Sequence, residues 1–187
     1  MNLTKIIQIV HHLLAKNGYR LNYTKLIKLL YLADREALSL WDSSISKDSY
    51  ASLAQGPVLS GLYNLVKGTA ADRFAQTEWN GHFMKDDYDL IALHKGKLPI
   101  DELSEREIEV LDRIEKQYRG WKFGKLIELL HDQSRFPEWT DPGSSSLPLA
   151  VESILRSLGR NEEEIKTIAE EEKSFQEEEE YLKKCCV

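Results

Sequence analysis

Apolar residues recur at helical spacing from the start of the chain. Leu3, Ile6, Ile7, Val10, Leu13 and Leu14 follow the i, i+3, i+4, i+7 pattern, which predicts an amphipathic helix over residues 3–16. Asn17-Gly18 ends it, because both residues tolerate positive φ. A second helix is predicted from Tyr23 to Trp41, with Asn22 as its N-cap. Its first half (Leu26, Ile27, Leu29, Leu30, Tyr31, Leu32) is apolar on nearly every side, the pattern of a central helix covered by several neighbours. Lys28 and Asp34 share that helix and stand out as polar groups amid buried surface.

A short strand is predicted over Ser49–Ala54, stopped by Gln55-Gly56-Pro57. Here Gly56 permits a tight strand-to-helix turn, and Pro57 pre-organises the first turn of a helix through Val58–Lys67, closed by Gly68. Such a turn leaves helix N-terminal N–H groups free to face an anion. The period changes over residues 77–95. Asn80-Gly81 is a hairpin signal, and Tyr88–His94 reads as a strand, so a small hairpin or three-stranded sheet is expected.

Helical spacing then returns. Ser104 and Glu107 have capping-box spacing, with Ile108, Leu111, Ile114 and Tyr118 as the inward face. Phe123 to His131 is a further helix, with Phe123, Leu126, Ile127 and Leu130 on one side. A long loop over residues 134–147 carries Phe136-Pro137 and Trp139, and Pro148 opens a short helix ended by Gly159. Asn161 starts a last, acidic helix with a thin stripe of Ile165, Ile168, Ala169 and Phe175. The expected fold is mainly α (α+β): a helical domain over residues 1–160 with a small antiparallel hairpin sheet, then an acidic C-terminal helical extension over residues 161–187.

Composition changes this picture in three places. A chain of 187 residues can bury a core without staples, and its two cysteines, Cys185 and Cys186, are adjacent and cannot cross-link distant parts. Two exposed thiols and a reducing compartment are expected. The net charge of −6 is all in the extension: residues 161–187 hold ten glutamates and four lysines, leaving 21 basic and 21 acidic side chains in the body. A neutral body offers no footprint for phosphate neutralisation, so nucleic acid is not expected as the primary partner. No apolar run approaches the ~20 residues of a membrane span, and the N-terminus does not read as a signal peptide. A cytoplasmic protein is expected.

The chemistry-bearing motifs are missing. There is no Gly-rich phosphate loop, no Gly-x-Ser-x-Gly elbow and no cysteine nucleophile in the body. The five histidines include no His-x-x-x-His or His-Glu-x-x-His spacing. Neither an enzyme, a cofactor nor a metal site is expected, and a protein partner is.

Several local features follow one another in a set order. They are Lys25-Leu26-Ile27-Lys28-Leu29-Leu30-Tyr31-Leu32-Ala33, Ala54-Gln55-Gly56-Pro57-Val58, Leu103-Ser104-Glu105 before Ile108-Glu109-Val110-Leu111, and Leu126–His131 with Trp139 eight residues on. From about Thr24 to Leu158 this series resembles the Panacea, or SocA-like, domain. Two positions depart from that pattern: Gln55 stands where an aromatic is frequent, and Leu130 where threonine is usual. The resemblance implies a non-catalytic antitoxin of toxin–antitoxin and phage-defence systems, which binds and occludes a protein toxin encoded by a neighbouring gene. The alternative it implies is an adaptor that delivers a toxin or other client to a AAA+ protease.

Nine residues are candidates for partner binding: Lys28, Tyr31, Asp34, Gln55, Gly56, Pro57, His131, Phe136 and Trp139. For the first three the alternative is a buried polar cluster that fixes helix packing. Gly56-Pro57 also reads as architecture. His131, Phe136 and Trp139 form either a binding edge or a loop tucked into the core. The acidic extension is a solvated face or the complement of a basic partner surface. The partner-facing surface and the oligomeric state stay open.

Overall fold

The fold was obtained as a computed structural model that describes residues 1–96 and 98–185, with side chains described through Ser174 among the last of these. The expected thiols of Cys185 and Cys186, the side chain of Phe175 and the lysines near the chain end lie outside the described residues. Among the described residues, eight helices hold the core and two three-stranded antiparallel sheets flank it.

Helix α1 (Leu3–Lys16) is capped by Asn2, whose Oδ1 accepts from the Lys5 N–H at 3.2 Å. The turn after it passes through Gly18 and Tyr19, both at positive φ, into strand β1 (Arg20–Asn22). Helix α2 (Tyr23–Trp41) then runs through the middle of the molecule, capped by Asn22 as the sequence predicts. Its continuous apolar surface is explained by its neighbours. Helices α5 (Glu105–Tyr118), α6 (Phe123–Leu130) and α7 (Val151–Ser157), with the sheet of β2 and β3 described next, cover it on several sides.

Strand β2 (Tyr50–Leu53) pairs with β3 (Gly56–Leu59) around a two-residue turn, Ala54-Gln55. This corrects the expected role of Pro57, which does not open a helix. It sits in β3 opposite Ser52, and helix α3 (Ser60–Lys67) begins only after the strand. An edge strand tolerates proline because one side of its backbone needs no partner. The anion-facing helix start expected at Gly56-Pro57 lies instead at α3, where Asp48 already fills it. Its carboxylate accepts from the N–H groups of Gly61 at 3.0 Å and Leu62 at 2.9 Å. The other edge of the sheet is β6 (Leu147–Leu149), with Pro148 opposite Ala51. Pro148 was expected to start a helix; α7 starts three residues later, and the proline blunts this edge too.

Asn80-Gly81 is a second correction. It is helical, near the end of α4 (Arg73–His82), which starts at an Asp72 cap and buries Trp79. The local turn preference is overridden by packing: the Trp79 and Phe83 rings meet at 4.5 Å. The hairpin comes later, between β4 (Phe83–Asp86) and β5 (Asp89–Ala92), with Asp87 at φ 53°. Strand β1 completes this sheet on β5, giving the order β1-β5-β4.

Helix α5 carries the expected Ser104–Glu107 capping box. Helix α6 buries Leu126, Leu129 and Leu130, but Phe123, expected on its inward face, is 45% exposed. After α7, helix α8 (Glu162–Cys185) starts from an Asn161 cap. Its first turns lie on the body. Ile165 is buried in the core, Ile168 packs against it, and Glu172 reaches Lys47 at 2.6 Å. No helix among the described residues is long and apolar enough to cross a membrane.

Candidate functional site

Helix α2 carries three polar side chains at threefold spacing: Lys28, Tyr31 and Asp34. All three are buried, at 1%, 0% and 2% exposure. A buried polar group must find partners or bear a penalty of several kcal/mol. Each of the three finds its partners in a different part of the fold.

Asp34 holds the segment between α2 and β2. Its carboxylate accepts from the N–H groups of Ile45 and Ser46, each at 2.9 Å, from the Tyr50 hydroxyl at 2.8 Å, and from the Ser46 hydroxyl. Burial pushes its pKa up to about 6, against the pull of these donors. Tyr31 holds the loop after α6. Its hydroxyl donates to Glu138 at 2.8 Å, and Arg35, one turn on, donates to the same oxygen at 2.7 Å. Arg35 also lies over the Phe136 ring at 4.6 Å. Burial, with the Glu138 charge second, raises the Tyr31 pKa well above its usual range.

Lys28 is different. Its Nζ donates 2.7 Å to the Pro57 carbonyl, in β3, and an ammonium has two further protons to place. No ion-pair partner of Lys28 occurs among the described residues, and burial alone lowers its pKa to about 7. Gly56 and the end of α6 crowd the same spot. A Cβ on Gly56 would lie 3.2 Å from Lys28 Nζ and 3.6 Å from His131 Cδ2, so the missing side chain is what lets ammonium and imidazole approach the strand. His131 stacks on Trp139 at 4.1 Å with 7° between the rings, and the indole N–H donates 3.1 Å to the Leu53 carbonyl. The His131 Nε2 is buried without a hydrogen-bond partner. Burial and then the Lys28 charge hold the His131 pKa below its usual value.

The nine sequence candidates therefore fall into three groups. Lys28, Gly56, Pro57, His131 and Trp139 meet around the β2–β3 hairpin. Tyr31 and Phe136 meet at Glu138 and Arg35, and Asp34 stands apart among Ser46 and Tyr50. Gln55 alone of the nine is exposed, at the hairpin tip. Phe136 and Trp139 are tucked in, at 4% and 5% exposure.

Beside the hairpin tip a cavity of about 220 Å³ opens between α2, the hairpin and α3. Its lining includes Tyr23 and the buried Lys28 from α2, Gln55 from the hairpin, and Tyr63 and the exposed Lys67 from α3. Lys67 is shared by two rings, 4.9 Å from the centre of Tyr23 and 5.5 Å from that of Tyr63, and donates to the Tyr23 hydroxyl at 3.1 Å. Sequence reasoning missed Tyr23, Tyr63 and Lys67, whose helical spacing marks them only as parts of two amphipathic helices. Glu138 and Asp48 gave no signal either, since each is a lone acid in a connection.

The domain family described as Antitoxin SocA-like, Panacea domain, matches residues 26–139, more than half of the chain. The chain belongs to the Panacea family. The match runs from Leu26 on α2 to Trp139 and so contains all nine candidate residues. Helices α1, α7 and α8 and strands β1 and β6 lie outside the matched Panacea segment. No curated protein and no solved structure matches the chain. Among the described residues of this Panacea protein, no group of three or more His, Cys, Asp or Glu side chains is placed to hold a metal ion.

Proposed function

We propose that this Panacea protein is a non-catalytic, cytoplasmic antitoxin, which neutralises a protein toxin encoded by a neighbouring gene by binding it directly and occluding the surface through which it acts. The observation that carries the reading is the family match over residues 26–139. The geometry supports a binding surface at the β2–β3 hairpin. The open cavity there has two tyrosine walls and a lysine rim, and rigid aromatics give large contact area at small entropic cost. In this reading Lys28, Gly56, Pro57, His131 and Trp139 hold the hairpin in place against α2 and α6, and Gln55 meets the partner. A stable occluding complex needs an interface of roughly 1,600 Å², so the cavity is one part of a larger contact.

The test is co-expression with the product of the adjacent gene, scoring growth and co-purification. Rescue of growth together with a stoichiometric complex is the expected result. Rescue that needs a AAA+ protease in the host would replace occlusion by the adaptor mechanism. A neighbour that is harmless alone and does not bind removes the antitoxin reading.

A further inference from the structure

Among the described residues, the buried ammonium of Lys28 forms no ion pair. A lysine at 1% exposure is normally paired with a carboxylate, because desolvating the ion is expensive. Among the described residues its ammonium donates to the Pro57 carbonyl alone, and the cavity that Lys28 helps to line has no acidic side chain in its lining. The other charged or titratable groups in the cavity lining are Lys67 and Tyr63 from α3 and Tyr23 from its own helix, and none is a carboxylate; outside the lining, His131 at the end of α6 feels both the Lys28 and the Asp141 charges. Beyond Gly56, the His131 Nε2 is a buried polar atom without a hydrogen-bond partner.

We infer that the cavity between α2, the β2–β3 hairpin and α3 is a receptor for a carboxylate side chain of the protein partner, which enters between Tyr23 and Tyr63 and pairs with the Lys28 ammonium. The proposal rests on the binding reading above and names what that surface recognises. Volume agrees: about 220 Å³ holds an aspartate or glutamate side chain with its flanking backbone, and leaves little room for more. Charge agrees as well, since both Lys28 and Lys67 line this cavity beside Tyr23 and Tyr63. The depressed Lys28 pKa of about 7 gives the site a pH dependence. In the free protein the ammonium is lost as pH rises through 7, and a bound carboxylate restores it. Affinity therefore falls above pH 7, by up to about tenfold per pH unit.

Two experiments test this separately from the antitoxin reading. The first uses the intact protein with ¹³Cε-labelled lysine and follows the Lys28 resonance during titration with N-acetyl-glutamate N-methylamide, and separately with inorganic phosphate. A saturable shift with the glutamate probe, accompanied by a rise in the Lys28 pKa and absent from folded Lys28→Met protein, is expected. No saturable shift, or a response to phosphate alone, overturns the proposal. The second measures partner affinity between pH 6 and 9. Lys28→Met should weaken binding roughly 30-fold or more and flatten the pH profile, the size expected when one member of a desolvated charged pair is truncated. A variant that folds and binds with unchanged affinity and pH profile overturns it. If the neighbouring gene product does not bind the wild-type protein, the antitoxin reading fails, and the glutamate titration still decides the cavity.

Discussion

The Tyr31 hydroxyl donates a 2.8 Å hydrogen bond to Glu138, a carboxylate 107 residues away whose side chain has no solvent exposure. Arg35 supplies the counter-charge to the same oxygen at 2.7 Å. Helix α2 thus fixes the loop after α6 through one buried carboxylate with two donors from adjacent turns. That loop in turn presents Trp139 to His131 and to the hairpin.

Removing the two donors should have unequal effects. Tyr31→Phe deletes one hydrogen bond to a charged acceptor and leaves the ion pair, so a loss of about 2 kcal/mol is expected in urea denaturation. Arg35→Met leaves a buried carboxylate without its cation, and a loss of about 3–5 kcal/mol is expected. Equal losses from the two variants would show that the Arg35–Glu138 ion pair adds nothing beyond a hydrogen bond.

Asp34 should make stability depend on pH in an unusual direction. Its folded pKa of about 6 lies above the ordinary 3.8, so between these values the folded state holds a proton that the unfolded state releases. Stability from this group is fully present below pH 3.8 and is lost as pH rises through 6. The full difference is about 3 kcal/mol. Asp34→Asn keeps an acceptor for the Ile45 and Ser46 N–H groups and cannot ionise. Relative to wild type, this variant should gain stability between pH 4 and pH 7 in parallel denaturant titrations. A wild-type-minus-variant difference that stays flat across this range would mean that the four donors hold Asp34 ionised throughout.

The sequence made the helical frame legible because its signals are local. Asn22 before Tyr23, and Ser104 with Glu107, place two helix starts correctly, and the all-round apolar surface of α2 announces its central position. The sheets were less legible. Strands β1 and β6 are three residues each, too short for a period, and are defined by partners 67 and 99 residues away (Asn22 with Asp89, Tyr50 with Leu149). Asn80-Gly81 and Gly56-Pro57 failed for opposite reasons. In the first, burial of Trp79 overrides a turn preference; in the second, an edge strand tolerates a proline that otherwise signals a helix start. The candidate site was half legible. Lys28 and the Gly56-Pro57 pair stand out as unusual residues in their contexts, but the cavity walls Tyr23, Tyr63 and Lys67 are ordinary helix residues that only the hairpin's position brings together.

Gly56 has φ +95°, and a Cβ there meets the Lys28 ammonium at 3.2 Å. Gly18 offers a control, with φ +72° and nothing within 4 Å. Gly18→Ala should lose about 1 kcal/mol from backbone strain alone. Gly56→Ala adds the clash in a close-packed interior, for a total of about 2–4 kcal/mol. Thermal denaturation of the two variants compares them directly. If they are equally stable, the ammonium moves freely and the tight approach of β3 to Lys28 is not a constraint of the fold.

The acidic helix α8 has two parts that truncation can separate. Ile165 is 4% exposed and Ile168 packs on the core, while Glu172 is tied to Lys47. A chain ended at Arg160 uncovers the surface under Ile165 and loses its apolar burial, about 3 kcal/mol, which lowers the Tm of a domain this size by roughly 10 °C. A chain ended at Ser174 keeps all three contacts and removes Glu177, Glu178, Glu179 and Glu180 with Lys183 and Lys184, so its Tm should lie above that of the chain ended at Arg160. This second variant tests the acidic segment. If the acidic segment complements a basic partner surface, the shortened chain binds its partner more slowly, and its association rate responds less to added salt. An unchanged association rate and salt slope would leave α8 with only its packing role, carried by the turns up to Glu172.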